Sequence, residues 1–244
     1  MIPFYRKIET NYGNVIFGTL GKDYQKKILT LEDATYPSNA IDWHAYAEKK
    51  IKKALFKDTK VFSLNQEHGK RIWKTEDIDT DGNNVGDGLI SKKENECLVI
   101  RTADCVPVFV YSTRTPFVSV LHSGWKGTFF GITESLLNSL SDYDVDPMDC
   151  KIVLGPYIQK TNYEVKWDVA EKFLKLGPDV IEGTSKSEES FLLDTGAAIE
   201  ESIKAMGVEI KIQNEHWEVF QTPNFFSHRA KEAGRNLNFI LWES

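Results

Sequence analysis

Short runs of β-branched, aromatic and aliphatic residues constrain the fold of this 244-residue chain more than any other feature. Runs of this kind, bounded by glycine, proline and polar residues, are typical of β-strands. They occur at 61–64, 97–101, 106–111, 117–122, 209–213 and 237–242. Their clustering predicts a protein that is built largely on β-sheets.

Three other segments carry apolar residues at roughly helical spacing. Residues 40–55 have lysines between the apolar positions and are predicted to form an amphipathic helix. A second helix is predicted at 127–140 and is expected to bury one face, formed by Phe129, Ile132, Leu136, Leu137 and Leu140. A third helix is predicted at 195–206, where Asp194 can cap its start and Gly207 can close its end.

The order of these elements favours an α+β architecture. Strands occur in clusters that helices punctuate, without the strict alternation of a doubly wound parallel sheet, so mixed sheets are expected. The chain contains no internal repeat and no linker rich in proline, glycine and serine. Residues 1–244 are therefore predicted to form one domain, with a solvated loop at 185–190.

Composition and charge exclude several classes of function. The net charge is -6 and both signs are interspersed, so no basic stripe can neutralise a nucleic-acid backbone. The start of the chain has no signal-peptide pattern, and no apolar run can span a bilayer, which predicts a cytoplasmic protein without a membrane partner. The cysteines Cys97, Cys105 and Cys150 are odd in number, so we expect reduced thiols rather than a disulfide framework.

Three potential metal ligands stand where predicted strands give way to turns. His68 follows a strand and precedes a glycine that lets the backbone approach closely, which leaves the imidazole accessible. Cys105 lies between two apolar strands beside Asp104, and His122 ends a strand. Taken singly, such residues are more often structural than ligating.

The combination indicates a catalytic metal site. Two imidazoles and one thiolate supply three protein ligands and leave one position for water or substrate, which is typical of catalytic zinc. A structural zinc would need a fourth ligand, and His44, His216 and His228 stand in no CxxC-like spacing with these three. Zinc is favoured, although two histidines and a cysteine also suit copper.

The residues after His122 are a candidate anion site. Ser123-Gly-Trp-Lys-Gly-Thr-Phe-Phe-Gly is rich in glycine and leads into a predicted helix, whose free N–H groups, together with Lys126, could bind an anion. The alternative is a tight connection in which glycine merely permits the turn. Trp125 could stack on a planar substrate or pack in the core.

Arg229 and Arg235 lie in a polar segment before the last predicted strand. Their guanidinium groups could clamp phosphate or carboxylate in a binding site. The alternative is a solvated surface loop, and the sequence alone does not decide between them.

The segments Gln66-Glu-His-Gly, Arg101-Thr-Ala-Asp-Cys-Val-Pro and Leu121-His-Ser-Gly-Trp-Lys-Gly-Thr, in this order, carry a family resemblance. They resemble the laccase-domain family of purine nucleoside phosphorylases, once called multicopper polyphenol oxidases. The similarity continues through Leu154-Gly-Pro-Tyr-Ile and Phe226-Ser-His-Arg, and so covers the chain from about residue 61 to its C-terminus.

The resemblance implies a zinc site formed by His68, Cys105 and His122 on an α/β sandwich related to a group of cysteine hydrolases. It also implies phosphorolysis of adenosine, inosine, guanosine and methylthioadenosine, with adenosine deamination as a companion activity. The implied partners are a purine nucleoside and phosphate, and the expected state is a monomer or homodimer.

The chain departs from the family pattern at several positions. The usual Thr-x-Arg-x-Gly-Gly segment reads Thr19-Leu-Gly-Lys, so an arginine that could contact phosphate or substrate is absent. Tyr157 and Gln221 stand where the family commonly has cysteines, and Arg229-Ala230-Lys replaces Arg-Arg-Asp. These differences predict an intact metal site beside an altered substrate pocket.

Three alternatives stay open. The first is a cysteine hydrolase with Cys105 as nucleophile and His122 as base, for example one that edits peptidoglycan precursors. The second is a nucleoside-binding protein that has lost turnover. The third is a copper polyphenol oxidase, against which the total of five histidines argues, because coupled oxygen reduction needs a further histidine-rich cluster.

Overall fold

The computed structural model of the protein describes residues 2, 4–27, 36–37, 40–55, 58–79, 83–184 and 189–244. Its strands are β1 (Phe4–Thr10), β2 (Gly13–Leu20), β3 (Lys60–Ser63), β4 (Ile72–Lys74), β5 (Gly88–Ser91), β6 (Glu96–Thr102), β7 (Val106–Ser112), β8 (Val118–Ser123), β9 (Cys150–Leu154), β10 (Glu164–Lys166), β11 (Ile181–Gly183), β12 (Ser190–Leu193), β13 (Lys211–Asn214) and β14 (Asn236–Glu243). Its α-helices are α1 (Lys22–Lys27), α2 (Ala40–Leu55), α3 (Trp125–Phe129), α4 (Ile132–Asn138), α5 (Trp167–Ala170) and α6 (Thr195–Ala205).

The predicted strands are confirmed as β3, β6, β7, β8, β13 and β14. The predicted first and third helices are confirmed as α2 and α6. Asp194 caps α6 as expected, because its Oδ1 accepts a hydrogen bond from the Ala197 amide at 2.9 Å. Gly207 follows this helix with a φ of 69°, the left-handed conformation that glycine adopts readily at helix ends.

The helix predicted at 127–140 is wrong in its extent. The structure has two short helices instead, α3 and α4, because Gly131 between them adopts a φ of 75°. The first of them begins at Trp125, so little turn remains after His122. Phe129, which was expected on a buried face, is 47% exposed because it lies on α3 rather than on the face that α4 buries.

The hairpin of β1 and β2 was not predicted. The exposed face of β1 includes Lys7 and Glu9, and Gly18 interrupts the apolar run of β2, so neither strand has a plain strand pattern. Of the loop predicted at 185–190, residues 185–188 lie outside the described residues, and Ser190 begins β12.

Two large mixed sheets dominate the described structure. The order is β1-β2-β14-β6-β3 in the five-stranded sheet and β13-β9-β7-β8-β5-β4 in the six-stranded sheet. Each large sheet contains both parallel and antiparallel pairs. A smaller antiparallel sheet has the order β10-β12-β11.

The two large sheets pack face to face around one hydrophobic core. This core includes Phe17 and Ile100 from the five-stranded sheet and Phe109 and Val120 from the six-stranded sheet. Helix α2 covers the outer face of the first sheet, and α4 and α6 cover the outer face of the second. The predicted α+β sandwich, with mixed sheets flanked by helices, is confirmed. None of the described helices is long and apolar enough to cross a membrane.

Strand register brings three chain segments together at one edge of the six-stranded sheet. Val106 of β7 pairs with Ser123 of β8, so Cys105 and Gly124 follow as neighbours just beyond the strands. Gly88 of β5 pairs with Leu121 of β8, which places Asp87, the residue before β5, beside His122. The chain crosses from one sheet to the other between β6 and β7, and Cys105 lies in this crossover.

Candidate metal centre

His68, Cys105 and His122 converge at this edge of the sandwich. One donor atom from each residue lies within 4.8 Å of the other two. The imidazole rings of His68 and His122 meet edge to face, with their centroids 4.6 Å apart. His122 is buried, Cys105 is half-buried and His68 is exposed, so the group opens toward solvent on one side. A single metal ion can lie between the three donors.

The space around the Cys105 thiol depends on Gly124. A Cβ atom at position 124 would lie 2.8 Å from Cys105 Sγ and 3.2 Å from His68 Cδ2. Both separations are shorter than ordinary van der Waals contacts. The absence of a side chain here therefore leaves room for the donors to meet.

The buried Asp87 carboxylate organises both histidines. Its Oδ1 accepts hydrogen bonds from the His68 amide at 2.9 Å and from His122 Nδ1 at 2.7 Å, and its Oδ2 accepts one from the Gly69 amide at 2.7 Å. The bond to Nδ1 turns His122 Nε2 toward the metal site. A carboxylate behind a ligating histidine fixes the tautomer and the ring orientation in many metal centres.

The loop that carries His68 is also tied to β6. The Gln66 side chain accepts a hydrogen bond from the Arg101 amide and donates one to the Arg101 carbonyl, each at 2.8 Å. His68 itself has a φ of 63°, a conformation that costs a non-glycine residue free energy and is held here by the Asp87 hydrogen bonds.

Charge at the site favours a thiolate in the metal-free protein. Burial raises the pKa of the Cys105 thiol, but the charge of His122 and hydrogen bonds from both histidines outweigh burial and lower that pKa to about 6. Burial lowers the pKa of His122, whereas the Cys105 thiolate and Asp87 raise it to about 9. A thiolate is the form of cysteine that binds metals and attacks carbon.

Asp104 fixes a distant segment beside the site. Its φ is 90°, and its carboxylate accepts hydrogen bonds from Ser227 Oγ at 2.6 Å and from the Arg229 amide at 2.7 Å. The segment that precedes β14 is thereby held next to the crossover that carries Cys105. This contact could not be read from the sequence, because the two segments are more than a hundred residues apart.

A cavity of about 460 Å³ opens on the three donors. This volume is within the range of small-molecule sites. Its walls combine aromatic, cationic and metal-binding side chains; they include His68, Cys105, His122, Trp43, Arg101, Asp104, Trp125, Tyr163, His228, Arg229 and Arg235.

Three of the four predicted substrate-binding residues line the cavity, and the fourth does not. Trp125, Arg229 and Arg235 line the cavity, so the two arginines do not lie in a freely solvated loop. Lys126 is exposed on the short helix α3, near the Trp125 ring, and is not among the lining residues. Nη2 of Arg229 donates to the Glu164 carbonyl, and this guanidinium lies over the Tyr163 ring.

Sequence reasoning missed several residues of this site. Asp87 lies in none of the segments on which the resemblance was recognised, although its position between Gly86 and Gly88, before an apolar strand, is a usable clue. Arg101 was named only within a segment that carries the family resemblance, and Tyr163 was not predicted as a site residue. His228 was set aside for its spacing, yet it lines the cavity.

The family model described as multi-copper polyphenol oxidoreductase laccase matches residues 45–243 of the chain. The chain belongs to this laccase-domain family. A relative named purine nucleoside phosphorylase from Staphylococcus epidermidis is 31% identical over 75% of this chain and 69% of that protein. Another of that name, from Rickettsia conorii, is 28% identical over 66% of this chain and 67% of that protein.

Solved structures support the laccase-domain fold. The hypothetical protein YfiH of Bacillus licheniformis has a TM-score of 0.77 and 24% identity, with 99% of this chain and 97% of that chain covered. A Neisseria meningitidis protein has a TM-score of 0.73 and 22% identity, with 98% and 99% covered. At these identities the likeness shows the fold alone.

The donor set of this laccase-domain protein fits a transition metal. Imidazole and thiolate are ligands that zinc and copper both accept. Among the described residues, this is the one group of three or more histidines, cysteines and carboxylates found that could hold a metal ion. The described part of the chain therefore offers no second cluster of the kind that coupled oxygen reduction needs.

The departures from the family pattern lie outside the cavity wall. Tyr157 is fully buried, and its hydroxyl donates to Asp194 Oδ1 at 3.2 Å beneath α6. Lys22, in the segment without the family arginine, forms an ion pair with Glu232 at 2.6 Å. Together with Gln221 and Ala230, Lys22 lines a second, open depression, which shares Arg229 with the cavity. Tyr157, Lys22, Gln221 and Ala230 are thus not among the residues that line the cavity around the metal group, and the altered substrate binding stays a prediction.

Proposed function

We propose that the protein is a zinc-dependent purine nucleoside phosphorylase that acts on adenosine, inosine, guanosine and methylthioadenosine, with adenosine deamination as a side activity. One observation carries the proposal: a single cavity combines the His68, Cys105 and His122 donors with aromatic and cationic side chains. Relatives named purine nucleoside phosphorylase support it.

We also propose that residues 1–244 form a single domain, since both large sheets share one core.

In the proposed phosphorolysis, a phosphate oxygen forms a bond to C1′ of the ribose while the bond from C1′ to N9 of the purine breaks. The electron pair of that bond leaves with the base, which takes up a proton, and the other product is ribose 1-phosphate, or 5-methylthioribose 1-phosphate from methylthioadenosine. In the deamination, water adds to C6 of adenosine and ammonia leaves. Zinc held by His68, Cys105 and His122 would supply a Lewis acid for these reactions.

The residues of the chain would bind and orient the substrates. His68, Cys105 and His122 would hold the metal, with Asp87 fixing the two histidines. Trp43 and Trp125 present indole rings to the cavity, where a purine could stack. Half-burial of the site limits the access of bulk water to the reacting atoms.

A second candidate is a cysteine hydrolase, which the Asp87 contact favours. Cys105, His122 and Asp87 follow one another as nucleophile, base and orienting acid, as in other cysteine hydrolases. This triad does not include His68. Replacement of His68 therefore separates a metal enzyme from a metal-free hydrolase.

The test is to incubate metal-analysed protein with adenosine or inosine, with and without phosphate, and to measure free base, ribose 1-phosphate and ammonia. We expect release of base that depends on phosphate and is lost, together with bound metal, in His68→Ala. His216→Ala is the matched control, because His216 is also an exposed histidine with a positive φ, of 53°. Release of base or ammonia by metal-free His68→Ala, without any need for phosphate, would favour the hydrolase, and nucleoside binding without any product would favour an inactive binder.

A further inference from the structure

Arg101 places a guanidinium group in the cavity with unsatisfied donors. Its Nη2 donates to the Leu64 carbonyl at 3.2 Å, but its Nη1 is buried and has no hydrogen-bond partner. The guanidinium lies 5.2 Å from the centre of the Trp43 ring. A buried donor without a partner is destabilising, so this atom is expected to meet a ligand.

A second guanidinium group, that of Arg235, lines the same cavity and repels the guanidinium of Arg101. Burial lowers the pKa of Arg101, and the charge of Arg235 lowers it further, to about 10, so the Arg101 guanidinium remains protonated at neutral pH. Nη1 of Arg235 donates to the Ala233 and Gly234 carbonyls at 2.9 and 2.8 Å, which anchors the side chain.

No carboxylate of the described residues forms an ion pair with Arg101 or Arg235. Asp104 lines the same cavity, but its two oxygens accept hydrogen bonds from Ser227 and Arg229. Two like charges in a partly desolvated pocket are unfavourable unless an anion lies between them. Guanidinium groups bind tetrahedral oxyanions through paired N–H donors.

We propose that Arg101 and Arg235 together form the subsite that binds the phosphate substrate. This inference rests on the proposed function, because phosphorolysis requires a phosphate beside the nucleoside. Arg101 is rigidly placed for this role, since its backbone lies in β6 and is bound on both sides by the Gln66 amide. The same Gln66 lies in the loop that carries His68, so the anion subsite and the metal group share one support.

Arg101→Gln tests the subsite because it removes the charge while keeping a polar side chain. Binding of inorganic phosphate is measured directly by equilibrium dialysis, and KM for phosphate is measured in the phosphorolysis assay. We expect at least a tenfold loss of phosphate affinity and a similar rise in KM for phosphate, with KM for the nucleoside nearly unchanged. Arg114→Gln is the matched control, because Arg114 is 71% exposed and pairs with Asp149 on the surface.

Arg235→Gln provides the second variant if Arg101→Gln does not fold, and it is expected to weaken phosphate binding by a similar factor. Phosphate binding that depends on these arginines, without any phosphorolysis, would support the subsite and reject the proposed function. Phosphorolysis with an unchanged KM for phosphate in the folded variants would reject the subsite and leave the function standing. Wild-type protein that binds no inorganic phosphate would also overturn the subsite.

Discussion

Substitution of Asp87 by alanine is expected to lower zinc affinity by about 10- to 100-fold, the usual effect of removing a carboxylate behind a metal ligand. The His122 ring would lose the hydrogen bond of 2.7 Å that turns its Nε2 toward the site. The His68 loop would lose the acceptor for three amides, at Glu67, His68 and Gly69. One change therefore loosens two of the three donors at once.

The same substitution is expected to reduce the free energy of unfolding by about 3 kcal/mol, because amide and imidazole donors would lose a buried acceptor. Zinc affinity is measured by competition with a chromogenic chelator, and stability by urea unfolding of the metal-free protein. Asp194→Ala is the matched control. Asp194 also accepts an amide hydrogen bond, but it caps α6 away from the cavity and should change stability without changing zinc affinity.

Asp87→Asn refines this result, because asparagine keeps the volume but has only one acceptor oxygen in place of two. Its NH2 group must face either the Gly69 amide or the donors of His68 and His122, so it should recover only part of the stability and still weaken zinc binding. Zinc affinity equal to that of the wild type in both Asp87 variants would contradict the role assigned to this carboxylate.

Gly124→Ala is expected to reduce the metal-dependent activity by about 100-fold, the effect that a misplacement of about 1 Å can have on a reacting group. The added methyl group would lie 2.8 Å from Cys105 Sγ, and the thiolate or the His68 ring must move to relieve the contact. Overall stability should change little, because the φ of −79° at Gly124 is one that alanine adopts without strain.

The activity of Gly124→Ala is measured with saturating zinc, so that weak occupancy does not mask the effect of geometry. Gly183→Ala is the control: the nearest atom to a Cβ there is 3.9 Å away, an ordinary contact. Undiminished activity of Gly124→Ala would show that the space beside Cys105 is not needed.

Local sequence pattern predicted the strands that position the donors. Apolar runs identify β7 and β8 in the sequence. The antiparallel pairing of these two strands in the fold brings Cys105 close to His122. The pattern failed at 127–140, because a single left-handed Gly131 divides a continuous helical face into two short helices. Amphipathic spacing alone does not reveal such a break.

Side chains that act across long sequence separations were beyond prediction. Asp87 faces His122 only because β5 pairs with β8. Arg229 and Arg235 line the cavity, where Asp104 holds the segment before β14. In each case the residue type was visible in the sequence, but its partner is defined by the tertiary structure.

The most direct test of the proposed zinc site is X-ray absorption spectroscopy at the zinc edge of the zinc-loaded protein. We predict one sulfur scatterer at about 2.3 Å and two imidazole nitrogens at about 2.0–2.1 Å, with an oxygen or nitrogen of water or buffer in the fourth position. The sulfur contribution should disappear in Cys105→Ser. A spectrum with no sulfur, or with two or more sulfurs, would contradict a site built from His68, Cys105 and His122.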